Sequence, residues 1–301
     1  MGAQLRAVRR RIRSIQSTAK ITRAQELIAS SRIIKAQQRL HAAAPYAREL
    51  TRAVEAVVSR SENVDHPLTR PVTNPTRAAV VILTSDRGFC GGFNANVLRE
   101  AQSLRRLLRD RGIQEVSFVA GRKGISWHRF RDRAVAAEWS GFSDTPRQQN
   151  AAEITEAVLE VFERPTEDGG VDEIHVVYTE FVSMLTQRPV IHRLLPLEVE
   201  ETDEPPPTGP MPIYDFEPSP EEVLNSLLPW YVESRLFHAL LESAAAEIAA
   251  RRRAMKSATD NANELIEQLS REANKARQAE ITQEISEIVG GANALTDATR
   301  E

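Results

Sequence analysis

The sequence predicts an α+β chain dominated by long helices. Helices at the N- and C-terminal ends pair as an antiparallel two-helix coiled coil, and an α/β domain is inserted between them. Three observations predict this. Apolar side chains recur at coiled-coil spacing at both ends, the middle alternates short apolar strands with helical stretches, and prolines cluster at the two joins.

At 301 residues the chain is long enough for about two domains. With 41% apolar and 27% charged residues, its composition is that of an ordinary globular protein, able to bury a core. The net charge of -3 conceals a segregation: residues 1–25 carry seven Arg or Lys and no acid, whereas 198–204 reads EVEETDE. A single cysteine, Cys90, excludes an internal disulfide and a Cys-based zinc site, and the six histidines show no ligand spacing, so no metal is expected. No run of 18 apolar residues occurs that could span a bilayer. The Arg-rich start has the composition of a transit peptide, but helical periodicity continues through it into plainly structural sequence, so it reads as mature protein.

From Leu5 to Val57 apolar or small residues alternate steps of three and four, with only Thr22 and Glu26 polar on the seam. Pro45 is the one breaker and is expected to kink the helix or break it locally. The prolines at 67, 71 and 75 end this segment. Residues 1–65 and 219–301 are therefore assigned to the coiled coil, 76–197 to the α/β domain and the proline-rich acidic stretch 198–218 to an extended connector.

In the middle, 78–83 and 116–121 read as strands, 97–111, 122–133 and 149–163 as helices, and 174–183 as a further strand. The segment 190–197 pairs with that last strand across a turn at Thr186 to Pro189. The expected sheet has four or five strands with right-handed crossovers. The acidic, Gly-Gly loop 164–173 is longer than most such connections. Ser219, Pro220 and Glu222 supply N-cap, N1 and N3 of the final helix. Its seam runs from Leu241 to Ala276, interrupted only by Arg252 and Thr259. The next apolar position is Ile281, a step of five, followed by Ile285, Ile288, Ala292 and Leu295. The helix is therefore expected to leave its partner near residue 277.

The stretch SDRGFCGGFN, after a strand and before a helix, stands where phosphate-binding loops stand. It has no G-x-x-x-x-G-K-[ST], no G-x-G-x-x-G and no lysine placed to reach a phosphate, so its glycines are expected to serve positive φ and close packing. Asp86 and Arg87 are expected to pair with each other or to cap a turn, and Cys90 has no companion signature for thiol catalysis. No enzyme motif appears elsewhere, and no cofactor is expected. The basic N-terminal helix suits a phosphate backbone or an acidic protein surface equally well on composition alone, although it lacks aromatics for base stacking.

Four stretches carry a resemblance: KITRAQELIASSRIIKAQ at 20–37, TSDRGFCGGFN at 84–94, MKSATDNANELI at 255–266 and NKARQAEITQEISEIVGGA at 274–292. In order and spacing they resemble the gamma subunit of F-type ATP synthases of bacterial type. Gln25 departs from the family's usual methionine.

The resemblance implies a non-catalytic rotor shaft turning inside the alpha and beta hexamer. It also implies a Rossmann-like α/β domain seated with the epsilon subunit on the c-ring, with proton flow coupled to ATP synthesis or hydrolysis on beta. By the same carry-over, Arg277 and Gln278 contact a loop of beta, often called the catch. Thr282, Glu284, Ile285, Glu287, Ile288, Gly291, Ala292 and Leu295 form the tip in an alpha/beta bearing, and Asp86, Arg87, Gly88, Gly91 and Gly92 face beta. Glu167, Asp168, Gly169, Gly170 and Asp172 form a loop, longer than the family usually carries, that is assigned a regulatory role near the c-ring or epsilon. No nucleic acid is expected, and membrane association comes only through Fo, on the cytoplasmic side of the plasma membrane. The competing reading, a coiled-coil scaffold with an adaptor domain, shares the seams but not the 281–292 signature.

Overall fold

The computed structural model describes residues 2–60, 72–197, 217 and 219–298. The connector assigned to 198–218 lies almost wholly outside the described residues, as does most of the proline segment at 66–75. In chain order the elements are α1 (Gly2–Arg60), β1 (Arg77–Leu83), α2 (Phe93–Asp110), β2 (Gln114–Ala120), α3 (Arg122–Phe130), β3 (Ala137–Trp139), α4 (Gln148–Glu163), a one-turn 3-10 helix (Thr166–Asp168), β4 (Glu173–Phe181), β5 (Gln187–Leu195) and α5 (Pro220–Ala298).

The two long helices span 59 and 79 residues and run without interruption through Pro45 and Pro229. Pro45 therefore does not break α1: a proline costs one backbone hydrogen bond, and the seam on either side holds the register. At the start of α5 the Ser219 hydroxyl accepts the Glu222 N–H at 3.2 Å, the N-cap bond that the sequence predicts.

The chain forms two compact units, residues 1–28 with 252–301 and residues 29–251. The division differs from a coiled coil set apart from an α/β domain, because the inner stretches of both long helices belong with the sheet. The reason is burial. Leu224, Leu228, Val232 and Leu236 of α5 and Val54 and Val57 of α1 share one core with Ala79, Val81, Phe118, Ile174 and Val176 of the sheet and with Ile154 and Val158 of α4. Farther along, Ala245, Ile248 and Ala249 of α5 pack on Ala29, Ile33 and Ala36 of α1.

The sheet order is β3-β2-β1-β4-β5, with β5 antiparallel to β4 and the other neighbours parallel. Ala79, Val81 and Leu83 face the core just described, while Ala78, Val80 and Ile82 face the other way, onto Val97, Leu98, Leu104 and Leu108 of α2 and Ile125 of α3. Covered on both faces, β1 reads as a continuous apolar run. The three-residue β3 makes the sheet five-stranded, within the four or five expected. One expectation is corrected: β5 begins at Gln187, so the turn after β4 lies at 182–186, closed by Ser183 N–H to the Thr186 carbonyl at 2.9 Å.

In the other unit, α1 and α5 pair along the expected seam. Leu5, Ala19, Thr22 and Glu26 are buried on one side, and Met255, Thr259, Ala262, Leu269 and Ala273 on the other. The polar interruptions Thr22 and Thr259 meet: their hydroxyls are 2.7 Å apart and buried. That contact sets an antiparallel register in which the alternating steps bring Leu5 level with Ala276. Glu26, the other polar seam residue, accepts from Arg23 at 2.8 Å.

Candidate functional site

The glycine-rich loop follows β1 and is fastened at both ends by short-range bonds. Asn94 accepts the Ser85 N–H at 2.9 Å and donates to the Ser85 hydroxyl at 2.7 Å, and that hydroxyl donates to the Arg87 carbonyl at 2.7 Å. Asp86 does not pair with Arg87. Its carboxylate accepts the backbone N–H groups of Arg122, Gly141 and Ser143 at 3.1, 2.8 and 3.0 Å, so it ties the loop to α3 and to the turn after β3. The expectation that it caps a turn holds, and the partners come from 36 to 57 residues away. Arg87 instead approaches Asp144 at 3.7 Å, and Arg32 of α1 binds the same carboxylate at 2.9 Å.

A buried ion pair backs the loop. Glu247 of α5 accepts from Arg251 at 2.6 Å, and the Arg251 guanidinium also reaches the carbonyls of Gly88 and Arg87 at 3.3 and 3.4 Å. Burial pushes the Glu247 carboxyl above its usual range, opposed by Arg251 and by a hydrogen bond from Ser143. Cys90 is buried against Phe93 and Ala246. Burial raises its thiol pKa, the reverse of what nucleophilic catalysis needs, with the Ser85 hydroxyl partly opposing.

The glycines divide. Gly91 stands at φ +58, where a side chain is disfavoured, but Gly88 and Gly92 have neither positive φ nor a tight neighbour. The second left-handed position of the loop is Phe89, at φ 61, a residue 77% exposed. Sequence reasoning passed over Phe89 because an aromatic flanked by glycines gives no periodic signal. Glu247, Arg251, Ser143 and Asp144 were missed because their link to the loop is purely tertiary.

The Gly-Gly loop after α4 is folded inward. Asp172 accepts the N–H groups of Thr76 and Arg77 at 2.7 and 3.0 Å and the hydroxyls of Thr166 and Thr76 at 2.8 and 3.2 Å. Burial alone would raise its pKa, but these bonds outweigh burial and hold the carboxyl below its usual range. Gly169 sits at φ +92, and a Cβ on Gly170 would stand 1.9 Å from the Arg164 carbonyl oxygen. Only Glu167 and Asp168 remain exposed among the acids of 164–172. Through Asp172 the loop therefore caps the start of β1.

At the far end of α5, Arg277 and Gln278 are exposed, and so is every residue from Ile281 to Gly290. Ile285 is 56% and Ile288 71% exposed, on the face continued from Ile281. Thr282 donates to the Gln278 carbonyl at 2.9 Å, and Glu284 and Glu287 point to solvent, Glu287 accepting from Gln283 at 2.9 Å. Gly291, Ala292 and Leu295 lie on the same continuous helix.

The ATP synthase family model matches residues 4–295. A protein of Acidothermus cellulolyticus named ATP synthase gamma chain is 61% identical over 295 residues, covering 98% of this chain and 98% of its own. The ATP synthase gamma chain of Frankia casuarinae is 58% identical over 299 residues, covering 99% and 100%. Among solved structures, a chain of the Euglena gracilis mitochondrial ATP synthase superposes with a TM-score of 0.73 at 16% identity, covering 100% of this chain and 97% of its own. A chain of the central stalk and c-ring structure from the Tetrahymena thermophila enzyme gives 0.57 at 23% identity, covering 79% and 99%. The structural likenesses establish the fold, and the sequence matches establish the family. The chain belongs to the ATP synthase gamma chain family, the non-catalytic rotor subunits of the central stalk.

Proposed function

We propose that α1 and α5, paired through residues 5–26 and 255–276, form the torque-bearing stem of a rotor turning within a hexamer of alpha and beta subunits. Beyond the stem, Thr282, Glu284, Ile285, Glu287 and Ile288, continued by Gly291, Ala292 and Leu295, run in the bearing that those subunits form. Arg277 and Gln278, at the root of the tip, hydrogen-bond a loop of beta. The loop at Asp86, Arg87, Gly88, Gly91 and Gly92 faces the lower ends of beta. The α/β domain meets the epsilon subunit and the c-ring, on the cytoplasmic side of the membrane. A regulatory role for the loop at 164–173 narrows to its two exposed carboxylates, Glu167 and Asp168.

One observation carries this reading: Ile281, Ile285, Ile288 and Val289 continue the apolar spacing of α5 past the paired seam and are all exposed. Isoleucine and valine kept in water on one helix face call for a partner from outside the chain. The test is co-purification with alpha and beta, followed by replacement of 255–301 with an unrelated coiled coil. ATPase activity dependent on this chain is expected to disappear. A replaced chain that still assembled and supported the same activity would contradict the reading.

A further inference from the structure

The helix α3 ends on a closed left-handed turn. The Arg133 N–H donates to the His128 carbonyl at 3.0 Å and the Asp132 N–H to the Arg129 carbonyl at 3.1 Å, with Asp132 at φ 49 where helices commonly stop on glycine. The turn folds the chain back over its own helix. It sets the guanidinium carbons of Arg131 and Arg133 over one ring, that of Trp127, at 4.3 and 4.8 Å from its centroid. That ring is a fixed platform: His128, buried and donating from Nδ1 to the Gly124 carbonyl at 2.9 Å, meets it edge-on at 4.9 Å.

Two like charges on one ring repel each other, and stacking on the indole offsets only part of that. Between Arg99 and Arg133 the chain carries ten Arg or Lys and four Asp or Glu, although its net charge is -3. The carboxylates on this side are engaged elsewhere. Arg105 binds Glu115 through both carboxylate oxygens, and Arg129 binds Glu138 at 2.7 Å. Asp132 holds the corner of the turn and pairs with neither neighbour. Among the described residues no carboxylate is in ion-pair contact with Arg131 or Arg133, and neither guanidinium donates a hydrogen bond. Partial burial and the charge of Arg105, then that of Arg131, push the Arg133 pKa below its ordinary value, with Glu115 opposing.

A guanidinium laid flat on an indole keeps its N–H edge free to fork onto two oxygens. Two such forks call for more oxygens and more negative charge than one carboxylate offers. The separation of the two guanidinium carbons cannot exceed their two distances to the shared centroid taken together, a gap that a phosphate or diphosphate closes. Beside them Phe130 is 84% exposed, its ring centroid 5.9 Å from the Arg131 guanidinium, an apolar shoulder for whatever carries the anion.

We infer that Trp127, Arg131 and Arg133 form a binding site for a phosphate group, free or carried on a lipid headgroup. The site lies with α3 on the face of the sheet opposite the one packed against α1 and α5. It does not depend on the rotor reading and stands or falls separately from it.

The test uses the free full-length chain. Inorganic pyrophosphate, titrated calorimetrically at fixed ionic strength, is expected to saturate one site, and Arg131→Gln or Arg133→Gln should each weaken it about tenfold. Arg106→Gln with Arg109→Gln, which removes two exposed charges from α2, should change the affinity less than about twofold. Thermal melts check that each variant folds. If the partly buried Arg133 proves necessary for folding, the exposed Arg131 carries the comparison alone.

Sedimentation with phosphatidylglycerol vesicles, against phosphatidylcholine vesicles as control, separates the two sources. Vesicle binding that is lost in the Arg131→Gln and Phe130→Ser chains assigns the site to a lipid headgroup, whereas pyrophosphate saturation without vesicle binding assigns it to a soluble phosphate. A chain that bound neither probe would overturn the inference. So would binding weakened equally by the α2 pair and by Arg131→Gln, since the attraction would then be diffuse charge.

Discussion

Two stretches of α5 have nearly the same apolar spacing and opposite fates. Between Met255 and Ala273 the spaced residues are buried, Ile266 only in part, whereas Ile281, Ile285 and Ile288 on the next turns of the same helix are exposed. Helical periodicity therefore shows that a face needs a partner, but not whose surface supplies it. The distinguishing signal lies in the step between the stretches: five residues from Ala276 to Ile281, where three or four would keep the face. In the stem, apolar spacing is a statement about stability. In the tip it is a statement about assembly.

That contrast can be broken most sharply at the tip. Ile285→Asp combined with Ile288→Asp should lower the ATPase activity of the complex by more than about tenfold, since a charge buried without a partner costs several kcal/mol. The free chain should change by less than about 0.5 kcal/mol, because both side chains already face water there. Activity assays beside denaturant melts of the free chain test both halves. A large loss of stability would mean that the tip packs within the chain.

The stem should answer in the opposite sense. Leu269→Ala should destabilise the free chain by about 2–3 kcal/mol through lost burial, whereas Ile288→Ala should leave its melting unchanged. Urea titration of the two single variants is sufficient. Equal effects would erase the distinction between the two stretches.

A comparison of the two glycine loops sharpens the same point. The loop at 84–94 fixes its backbone and leaves Phe89 outside, while the loop at 164–173 turns Asp172 inward onto the start of β1. Asp172→Asn should therefore cost about 1–2 kcal/mol at neutral pH, from hydrogen bonds to a charged acceptor. The folded-state pKa of Asp172 is depressed, so its stabilisation is present above the unfolded value and lost as pH falls through the folded one. The difference between parent and variant should thus shrink to nothing in strong acid. A constant difference across the titration would show that charge is not the cause.

The smallest effect is expected at the polar pair of the stem. Each of Thr22 and Thr259 also lies within hydrogen-bond distance of its own helix backbone, at the Ala19 and Met255 carbonyls. A single Thr→Val at either position should cost about 1 kcal/mol or less, and the double variant should be near neutral, since no buried hydroxyl is then left without its partner. A double variant worse than the sum of the singles would show that the pair specifies register rather than filling it.

Much of this was legible from the sequence, for reasons that particular residues make plain. The seam of α1, the apolar run of β1 and the Ser219 cap are local patterns, and each is found where local chemistry puts it. The three-residue β3 is too short to show a period. The early start of β5 was hidden by Pro189, a residue tolerated on an edge strand but read as part of a turn. Within the site, Asp86 was recognisable as a cap, but its partners at Gly141 and Ser143 and the support from Glu247 and Arg251 arise only when distant elements meet. Thr22 and Glu26 looked like flaws in a seam. Thr22 has its match in Thr259, 237 residues away.

The most direct measurement is ATP-driven rotation. With alpha and beta subunits assembled on this chain and fixed to a surface, a probe attached to the chain should turn in one direction while ATP is hydrolysed. With the Ile285→Asp, Ile288→Asp chain, it should stall or slip. A probe that stayed still while the parental complex hydrolysed ATP at its full rate would contradict the account of the chain as a rotor.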